Sequence, residues 1–484
     1  MTRLQPLLAT AALLVLGACA VGPNYRAPAS LLTGAYHSPA PASDSAKADL
    51  TAWWQGFGDP ELTRIVERAA AQNLDVAQAA ARVRQSRAAL SAAGAAFAPS
   101  LAANGAVADG RQSLLSPEGE IGRHLPGFQR SYDDQQAGVA ASWEIDLFGG
   151  LRRAHDAARA EDAGAGLQLA AVRASIEAEA ADAYLQARGY QARLAVARSQ
   201  EKVEEDLLKL VKERLSQGVA AEREAHQTEA ALEGVRAAIP PLAAGLEAEL
   251  NRLDVLMGAQ PGTYREELVA DTALPQPPSL SQAVQPGDLM RRRPDVLAAE
   301  QRLIAANARI GEAISDYYPK VSLGGLFGAE SLEAGKLFTG PAQAQQLSAG
   351  FRWRIFDFGR VDAEVAGARG REAEALAAYR ATALRAAEEV ETSLSGLQQD
   401  RLRTQALSRE VDQLTLARRQ AQQAYEGGVA SLLEVRDADR DLLTASDQLV
   451  QSKVAAARAA VASFRALGGG WRQDGLGNPG AEGR

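Results

Sequence analysis

From Ala137 onward the chain changes polarity at every step. Ala137, Val139, Ala141, Trp143, Ile145 and Leu147 are separated by Gly138, Ala140, Ser142, Glu144 and Asp146. A period of two predicts an extended strand with one apolar and one polar face. Val321, Leu323, Gly325 and Phe327 repeat the pattern against Ser322, Gly324 and Gly328. Phe351, Trp353 and Ile355 repeat it against Arg352 and Arg354, and Leu101 to Val107 is a weaker fourth segment. Elsewhere the apolar period is helical. No proline falls between Gly149 and Gly218 or between Gly359 and Gly427, and Ala, Glu, Gln, Arg and Leu dominate both intervals. These residues favour helix, and about 68 of them would extend roughly 100 Å. Leu207, Val211 and Leu215 keep helical spacing, as do Leu407, Val411 and Leu414. Each long helix should return through a shorter one, Glu222 to Met257 and Leu432 to Leu467. Pro240 and Pro241 should kink or divide the first return.

The chain also repeats itself. Trp143-Glu-Ile-Asp-Leu-Phe-Gly149 recurs as Trp353-Arg-Ile-Phe-Asp-Phe-Gly359, and Gly218-Val-Ala220 as Gly428-Val-Ala430, both 210 positions later. Asp75-Val76 and Pro99 recur as Asp295-Val296 and Pro319, 220 positions later. Four matches in one order mark a duplicated unit: helix, extended pair, very long helix, glycine turn, return helix. The chain divides accordingly into residues 59–260, a linker at 261–290, residues 291–467 and a tail at 468–484. Pro99, Trp143, Phe148 and Gly149, with Pro319, Trp353, Phe358 and Gly359, stand where strands meet helices.

The N-terminus adds a destination. Arg3 precedes an apolar run from Ala9 to Leu16 that is too short to remain as a bilayer span. Leu16-Gly17-Ala18-Cys19 follows, and Cys19 is the single cysteine of the 484 residues. This looks like a bacterial lipoprotein signal: residues 1–18 are removed and Cys19 is acylated, each buried CH₂ adding about 0.8 kcal/mol of membrane affinity. A plain signal peptide with an incidental cysteine is the alternative. Residues 19–58 then form a tether rich in Pro, Ser and Ala and an equatorial segment. No cofactor is implied beyond that lipid.

Membrane context changes the reading of the strands. A half-buried sheet in a soluble protein has the same period, but about 9–11 tilted residues also cross a bilayer. Aromatic residues sit near the strand ends and polar loops at 110–132 and 332–345 separate them. Four strands cannot close a barrel, and open edges cannot face lipid. Several copies must therefore contribute, and three would give twelve strands above a tube of helices. The fold expected is mainly α with a transmembrane β part. Aromatics supply only 5% of the residues, which suits alanine-rich packed helices better than a compact enzyme, and a net charge of −8 argues against nucleic acid as a partner.

Further segments carry a specific likeness: Cys19-Ala-Val-Gly-Pro-Asn-Tyr25, Trp53-Trp54-Gln-Gly-Phe57-Gly-Asp59-Pro60-Glu-Leu62, Arg292-Arg-Pro-Asp-Val296, Tyr318-Pro319, Phe356-Asp-Phe-Gly359 and Leu467-Gly-Gly-Gly-Trp471. With the helix at 431–443 they span nearly the whole chain, which resembles the outer-membrane efflux protein family and its NodT-type lipoprotein branch. The resemblance implies a homotrimer in outer-membrane lipid. Its twelve-stranded barrel would continue into a periplasmic helical barrel. A periplasmic adaptor and an inner-membrane pump, proton-driven in type, would be its partners. In related channels a Leu-x-x-x-Asp-Ala-Gln-Arg run pinches the periplasmic end shut. Here the matching run is Leu433-Glu-Val-Arg-Asp437-Ala-Asp439-Arg440. By that likeness Leu433 forms an apolar ring, Asp437 an acidic ring and Arg440 a link to a neighbouring helix. Asp439 and Arg436 depart from the pattern. The turns at Gln217, Gly218, Val219 and Ala220, and at Glu426, Gly427, Gly428 and Val429, would receive the adaptor.

The residues themselves place Leu433, Asp437, Arg440 and Asp441 on one helix face. A solvated charged face is the plainer reading of Asp437, Asp439, Arg440 and Asp441. A calcium loop at Asp437-x-Asp439-x-Asp441 is disfavoured by Leu442 at the position that needs glycine. His37, His124, His155 and His226 form no zinc spacing, and no GxSxG or GxxxxGK(S/T) occurs. The competing classes are a pore-free coiled-coil lipoprotein and a secreted glycan-active enzyme. The transported substrate is not encoded in any of these patterns.

Overall fold

The computed structural model describes residues 20–29, 32, 34–37, 50–269, 273–278, 286–333 and 335–472. The expected signal segment and Cys19 lie outside the described residues. A 3₁₀ turn at Leu50–Phe57 precedes α1 (Pro60–Gln72) and α2 (Leu74–Ala95). Strand β1 (Ser100–Arg111), the short α3 (Pro117–Gly122) and β2 (Ser131–Ile145) follow, then α4 (Gly150–Ser216) and α5 (Glu222–Leu256). Past α6 (Arg265–Leu268), the second half runs α7 (Pro286–Arg292), α8 (Pro294–Ser315), β3 (Lys320–Ser331), β4 (Gln343–Arg352), α9 (Arg360–Glu426) and α10 (Leu432–Ala466). Every boundary of α9 and α10 lies 210 positions after its counterpart in α4 and α5. The duplicated sequence is thus a duplicated structure.

Local chemistry fixes these elements. Asp59 caps α1 by accepting from the backbone N–H of Glu61 and Leu62 at 2.8 and 3.1 Å, with Pro60 in the first turn. Ser431 and Glu434 form a reciprocal capping box at the start of α10. Pro240 and Pro241 neither end nor divide α5, contrary to the expectation from composition. Both are exposed, so water can reach the carbonyls they leave free. Buried Leu232 and Val235 before them, and Leu250 and Leu253 after them, hold both parts of the helix in place.

The described residues fall into two compact units, considered separately. The first comprises the segment up to Pro28, Arg84–Ala163 and Glu300–Ala377. It holds one four-stranded antiparallel sheet in the order β1-β2-β3-β4. Its ladder pairs Leu101 with Ala141, Ala141 with Gly325, and Gly325 with Leu347. Because side chains alternate and paired residues share a face, this register collects all four apolar rows on one side. That side carries Leu101, Val107, Val139, Trp143, Leu323, Phe327, Leu347 and Phe351. The other carries Asn104, Gln136, Ser142, Glu144, Ser322, Gln346, Ser348 and Arg352. The apolar side is exposed in the single chain, Leu347 by 93%. β4 stops at Arg352, so Trp353 and Ile355, expected within the strand, lie just beyond its ladder.

At the base of the sheet the repeat is chemical as well as spatial. Trp143 Nε1 donates to the Phe97 carbonyl at 2.8 Å, and Trp353 Nε1 donates to the Tyr317 carbonyl at 2.9 Å. Each indole thus ties a strand end to the end of the helix preceding the strand pair. Gly149 and Gly359 follow with φ of 79° and 82°, a left-handed conformation that turns the chain into α4 and α9. Phe358 shares that region at φ 57°. Phe148 stacks on Tyr318 at 4.6 Å, and Ile355, Phe356 and Phe358 are exposed beside the strands. Such an aromatic girdle marks a membrane boundary.

The second unit comprises Ala29–Val83, Gly164–Ala299 and the segment from Ala378. Its core is alanine-rich, with Ala180, Ala181, Ala183, Ala457 and Ala460 buried around Tyr184, Leu185, Leu397 and Phe464. Trp53 stacks on Phe464 at 5.6 Å, Tyr184 donates to Asp59 at 2.7 Å, and Trp471 Nε1 donates to the Arg292 carbonyl at 2.7 Å. Arg293 spans Asp295, Glu389 and the Ala466 carbonyl. The shared tryptophan and arginine segments are therefore structural fasteners. Among the described residues no helix is long and apolar enough to cross a membrane.

Glu177 lies within this core, 2% exposed. Arg173 reaches one of its oxygens at 3.2 Å, while the buried Oε2 has no partner and faces Gly470, where a Cβ would come within 2.5 Å of it. Burial raises its pKa to about 7 against the opposing pull of Arg173. A raised carboxyl pKa contributes stability that is complete below the ordinary value and is lost as pH rises through the folded value. Thermal stability should therefore fall as pH rises from about 4.5 to about 7 and level off above that. Glu177→Gln should flatten that slope and recover up to about 3 kcal/mol per chain at the alkaline end. Heat-dissociation midpoints across that pH range provide the check.

Candidate functional site

The gate candidates lie near the start of α10, and the structure sorts them onto two faces. Leu433, Asp437, Arg440 and Asp441 are exposed together, as their spacing requires. Arg440 engages Asp437 at 3.4 Å and Asp441 at 3.2 Å, both on its own helix. Within this chain its ion pairs stay on its own helix. Local carboxylates one turn away and next in sequence satisfy its guanidinium first. Leu433, Asp437 and Arg440 line a groove of about 1170 Å³ with Tyr190, Arg193 and Gln200 of α4 and Val235 and Leu242 of α5.

Asp439 belongs to the opposite face. It is 1% exposed, and Arg418 Nε of α9 donates to its Oδ1 at 2.8 Å. This pair links α9 to α10 within the chain. The solvated-face reading thus fits three of the four charged residues. Behind Asp439 stands Glu204 of α4, buried, with Gln200 Nε2 donating to its Oε1 at 3.2 Å. Desolvation raises the Glu204 pKa first, and the Asp439 charge adds to it. Neither Glu204 nor Arg418 stood out in the sequence, because each sits in an ordinary helical charge run.

The helical turns are built alike. Gly218 and Gly428 both have φ of 76°. Val219 and Ala220 donate to the Arg214 carbonyl, and Val429 and Ala430 to the Ala424 carbonyl, closing both helices in the same way. Gly427 is not the left-handed residue; Gly428 matches Gly218. Gln217, Glu426 and the two valines are exposed, with Val219 and Val429 at 72% and 85%. Beneath the turns Leu207, Val211, Ala225, Tyr425, Leu432 and Val435 form one apolar cluster. Arg214 joins the two hairpins. Its guanidinium lies 4.4 Å over the Tyr425 ring and donates to the Tyr425 and Glu426 carbonyls at 3.4 and 3.3 Å, at the negative end of α9. The repeat offers no hint of this, since position 424 is alanine.

The segment after Cys19 has a seat of its own in the sheet-bearing unit. Val21 N–H donates to the Phe148 carbonyl at 3.1 Å. Arg153 of α4 donates to the carbonyls of Val21 and Gly22 and to Asn24 Oδ1, and Tyr25 donates to Glu300 at 2.9 Å. Gly22 lies so close to Gly311 of α8 that a Cβ would come within 2.4 Å of the Gly311 Cα. Ala20 rests against Gly149. The residue next to Cys19 is therefore held at the base of the strands.

Comparison with known proteins agrees with this geometry. Residues 65–259 and 286–469 match the sequence profile described as Outer membrane efflux protein. Among curated relatives, the pyoverdine export outer membrane protein OpmQ of Pseudomonas putida is 32% identical over 442 residues, covering 91% of this chain and 92% of that protein. Nodulation protein T of Rhizobium leguminosarum bv. trifolii is 27% identical over 91% of this chain and 92% of its own length, in line with the NodT-type likeness. The solved outer-membrane channel OprN is 31% identical and superposes with a TM-score of 0.85, covering 94% of this chain and 100% of that one. The chain belongs to the outer membrane efflux protein family and is a trimeric export channel of the outer membrane.

Proposed function

We propose that this channel is the passive exit duct for small molecules passed to it by a periplasmic adaptor and an inner-membrane pump, a proton-driven one by the family likeness. One observation carries the reading: a single register gathers Leu101, Val107, Val139, Trp143, Leu323, Phe327, Leu347 and Phe351 on one face and, Leu326 apart, mostly polar and small residues on the other. A sheet of that kind serves lipid on one side and an aqueous lumen on the other. A pore-free coiled coil has no use for it. The channel itself carries out no turnover; the exposed valines of both turns give an adaptor apolar footholds on otherwise charged helix ends.

The gate is assigned to Leu433, Asp437, Arg440 and Asp441. Threefold repetition turns each into a ring, and a carboxylate ring concentrates cations. Asp437→Ala combined with Arg440→Ala should raise single-channel conductance in planar bilayers severalfold and weaken block by multivalent cations. Unchanged current and block would remove these residues from the constriction.

Acylation of Cys19 is assigned on the lipoprotein-like signal and on the docked segment that follows it. Arg153 positions that segment beside the aromatic girdle, so acyl chains would enter the leaflet next to the barrel. Cys19→Ser should leave the N-terminus without lipid, read by mass spectrometry of the intact protein. Arg153→Ala should keep the lipid yet make residues 20–25 accessible to protease. Lipid-free wild-type protein from the outer membrane would overturn the anchor.

A further inference from the structure

Helices α4 and α10 are joined by a ladder of charges with a constant step. Arg458 Nε and Nη2 donate to the two oxygens of Asp182 at 2.6 and 3.1 Å. Eleven residues further along α4, and eleven back along α10, Arg193 donates to both oxygens of Asp447 at 2.6 and 3.1 Å. Eleven residues span about three helical turns, so such positions fall on one face. The next step falls on Glu204 and Arg436. The charges are complementary, yet no ion pair closes between them within 4.0 Å, and Glu204 points to the buried side with its Oε2 unpartnered.

We infer that Glu204 and Arg436 are the third rung of this ladder, open in the present structure and closed when Glu204 gives up a proton, and that this rung fixes the gate end of α10 against α4. The inference rests on the gate reading above for its link to conductance.

The groups that meet at this point favour two arrangements. In the present one Glu204 shares a buried space with Asp439, whose Oδ2 is also unpartnered, and only Arg418 is bonded there to balance them. Two carboxylates against one paired guanidinium leave one carboxyl better off neutral. On its own helix Glu204 meets only the amide of Gln200. From α10 it faces Asp439 and Arg436, and from α9 it faces Arg418. From α5 the groove residues are Ala231, Gly234, Val235 and Ala238, which carry no charge. Arg436 is half-buried and lines the same groove as Glu204. A rotamer change of Glu204 toward the groove would bring an ionised carboxylate to the guanidinium and complete the ladder. The raised pKa of Glu204 belongs to the open arrangement. Paired with Arg436 the same carboxyl would titrate lower. Acid therefore favours the open rung, and rising pH favours the closed one. Burial of both carboxylates is already nearly complete in one chain, so neighbouring copies cannot relieve it.

Two readouts on the full-length channel in lipid bilayers test this. Hydrogen exchange across 200–208 and 432–440, corrected for intrinsic rates, should show protection rising between pH 5.5 and 8. Mean conductance should fall roughly threefold to tenfold over the same range. Glu204→Gln and Arg436→Gln should each abolish both trends and hold the channel at its acid-side behaviour, and the double variant should do no more than either alone. Flat exchange in the wild type, or a wild-type slope in Glu204→Gln, would overturn the rung. Exchange that responds to pH while current does not would support the rung and count against the gate assignment. Trimers of each variant that survive detergent extraction show that folding has not failed.

Discussion

Unpaired backbone at two strand edges governs this protein. The outer edges of β1 and β4 each present a row of N–H and C=O groups with no partner strand among the described residues. In water such an edge is an aggregation hazard; in hydrocarbon each unmet group costs several kcal/mol. The apolar face beside those edges commits the sheet to lipid, so both edges must find partners there. A closed ring of like copies is the arrangement in which every edge is met by the opposite edge of the next chain. A ring of copies, here a trimer, is thus what the open edges require, and the duplicated half gives each chain two strand pairs to contribute to it.

Duplication supplies the framework and divergence supplies the function. The long helices, the glycine turns, the indole-to-carbonyl bonds and the left-handed glycines before α4 and α9 are held in common between the halves. The sites that differ are the ones with a distinct chemical role. Arg214 faces an alanine at its counterpart, Ser431 caps α10 where Ala221 offers no side chain, and Asp437-Ala-Asp439-Arg440 answers to Gln227-Thr228-Glu229-Ala230 in α5. A threefold assembly of unlike halves has alternating helical hairpins around its axis. Two kinds of hairpin can therefore take different roles without any departure from symmetry between chains.

How much of this was legible follows from the range of each interaction. Strand faces, long helices and turns rest on periods and punctuation within a few residues, and the helix boundaries implied by Gly149, Gly218, Gly359 and Gly427 fall within a residue or two of those found. The shared exposed face of Leu433, Asp437, Arg440 and Asp441 was legible for the same reason. Asp439 was not. Its role depends on Arg418, which is close in space but on another helix, and on Glu204, more than two hundred positions away. Pro240 and Pro241 misled because helix propensity is local, whereas α5 is held by packing on both sides of them. Arg153 escaped notice because the backbone carbonyls it binds have no signature in sequence.

The charge ladder between α4 and α10 explains how alanine-rich helices keep their register. Alanine faces are smooth, so a slide of one turn past another changes little buried area, and area alone cannot select one alignment. A bidentate arginine–carboxylate pair is directional: slipping by one turn separates its partners and strands two charges at a partly buried surface. Such pairs add little net stability but penalise each wrong alignment heavily. Asp182 with Arg458 and Arg193 with Asp447 impose that penalty twice. Register is then tightest where rungs are closed and softest beyond the last closed rung. That softer stretch of α10 is the one that carries Leu433, Asp437 and Arg440, so the ladder leaves least constrained the part of the helix that the proposed gate would need to move.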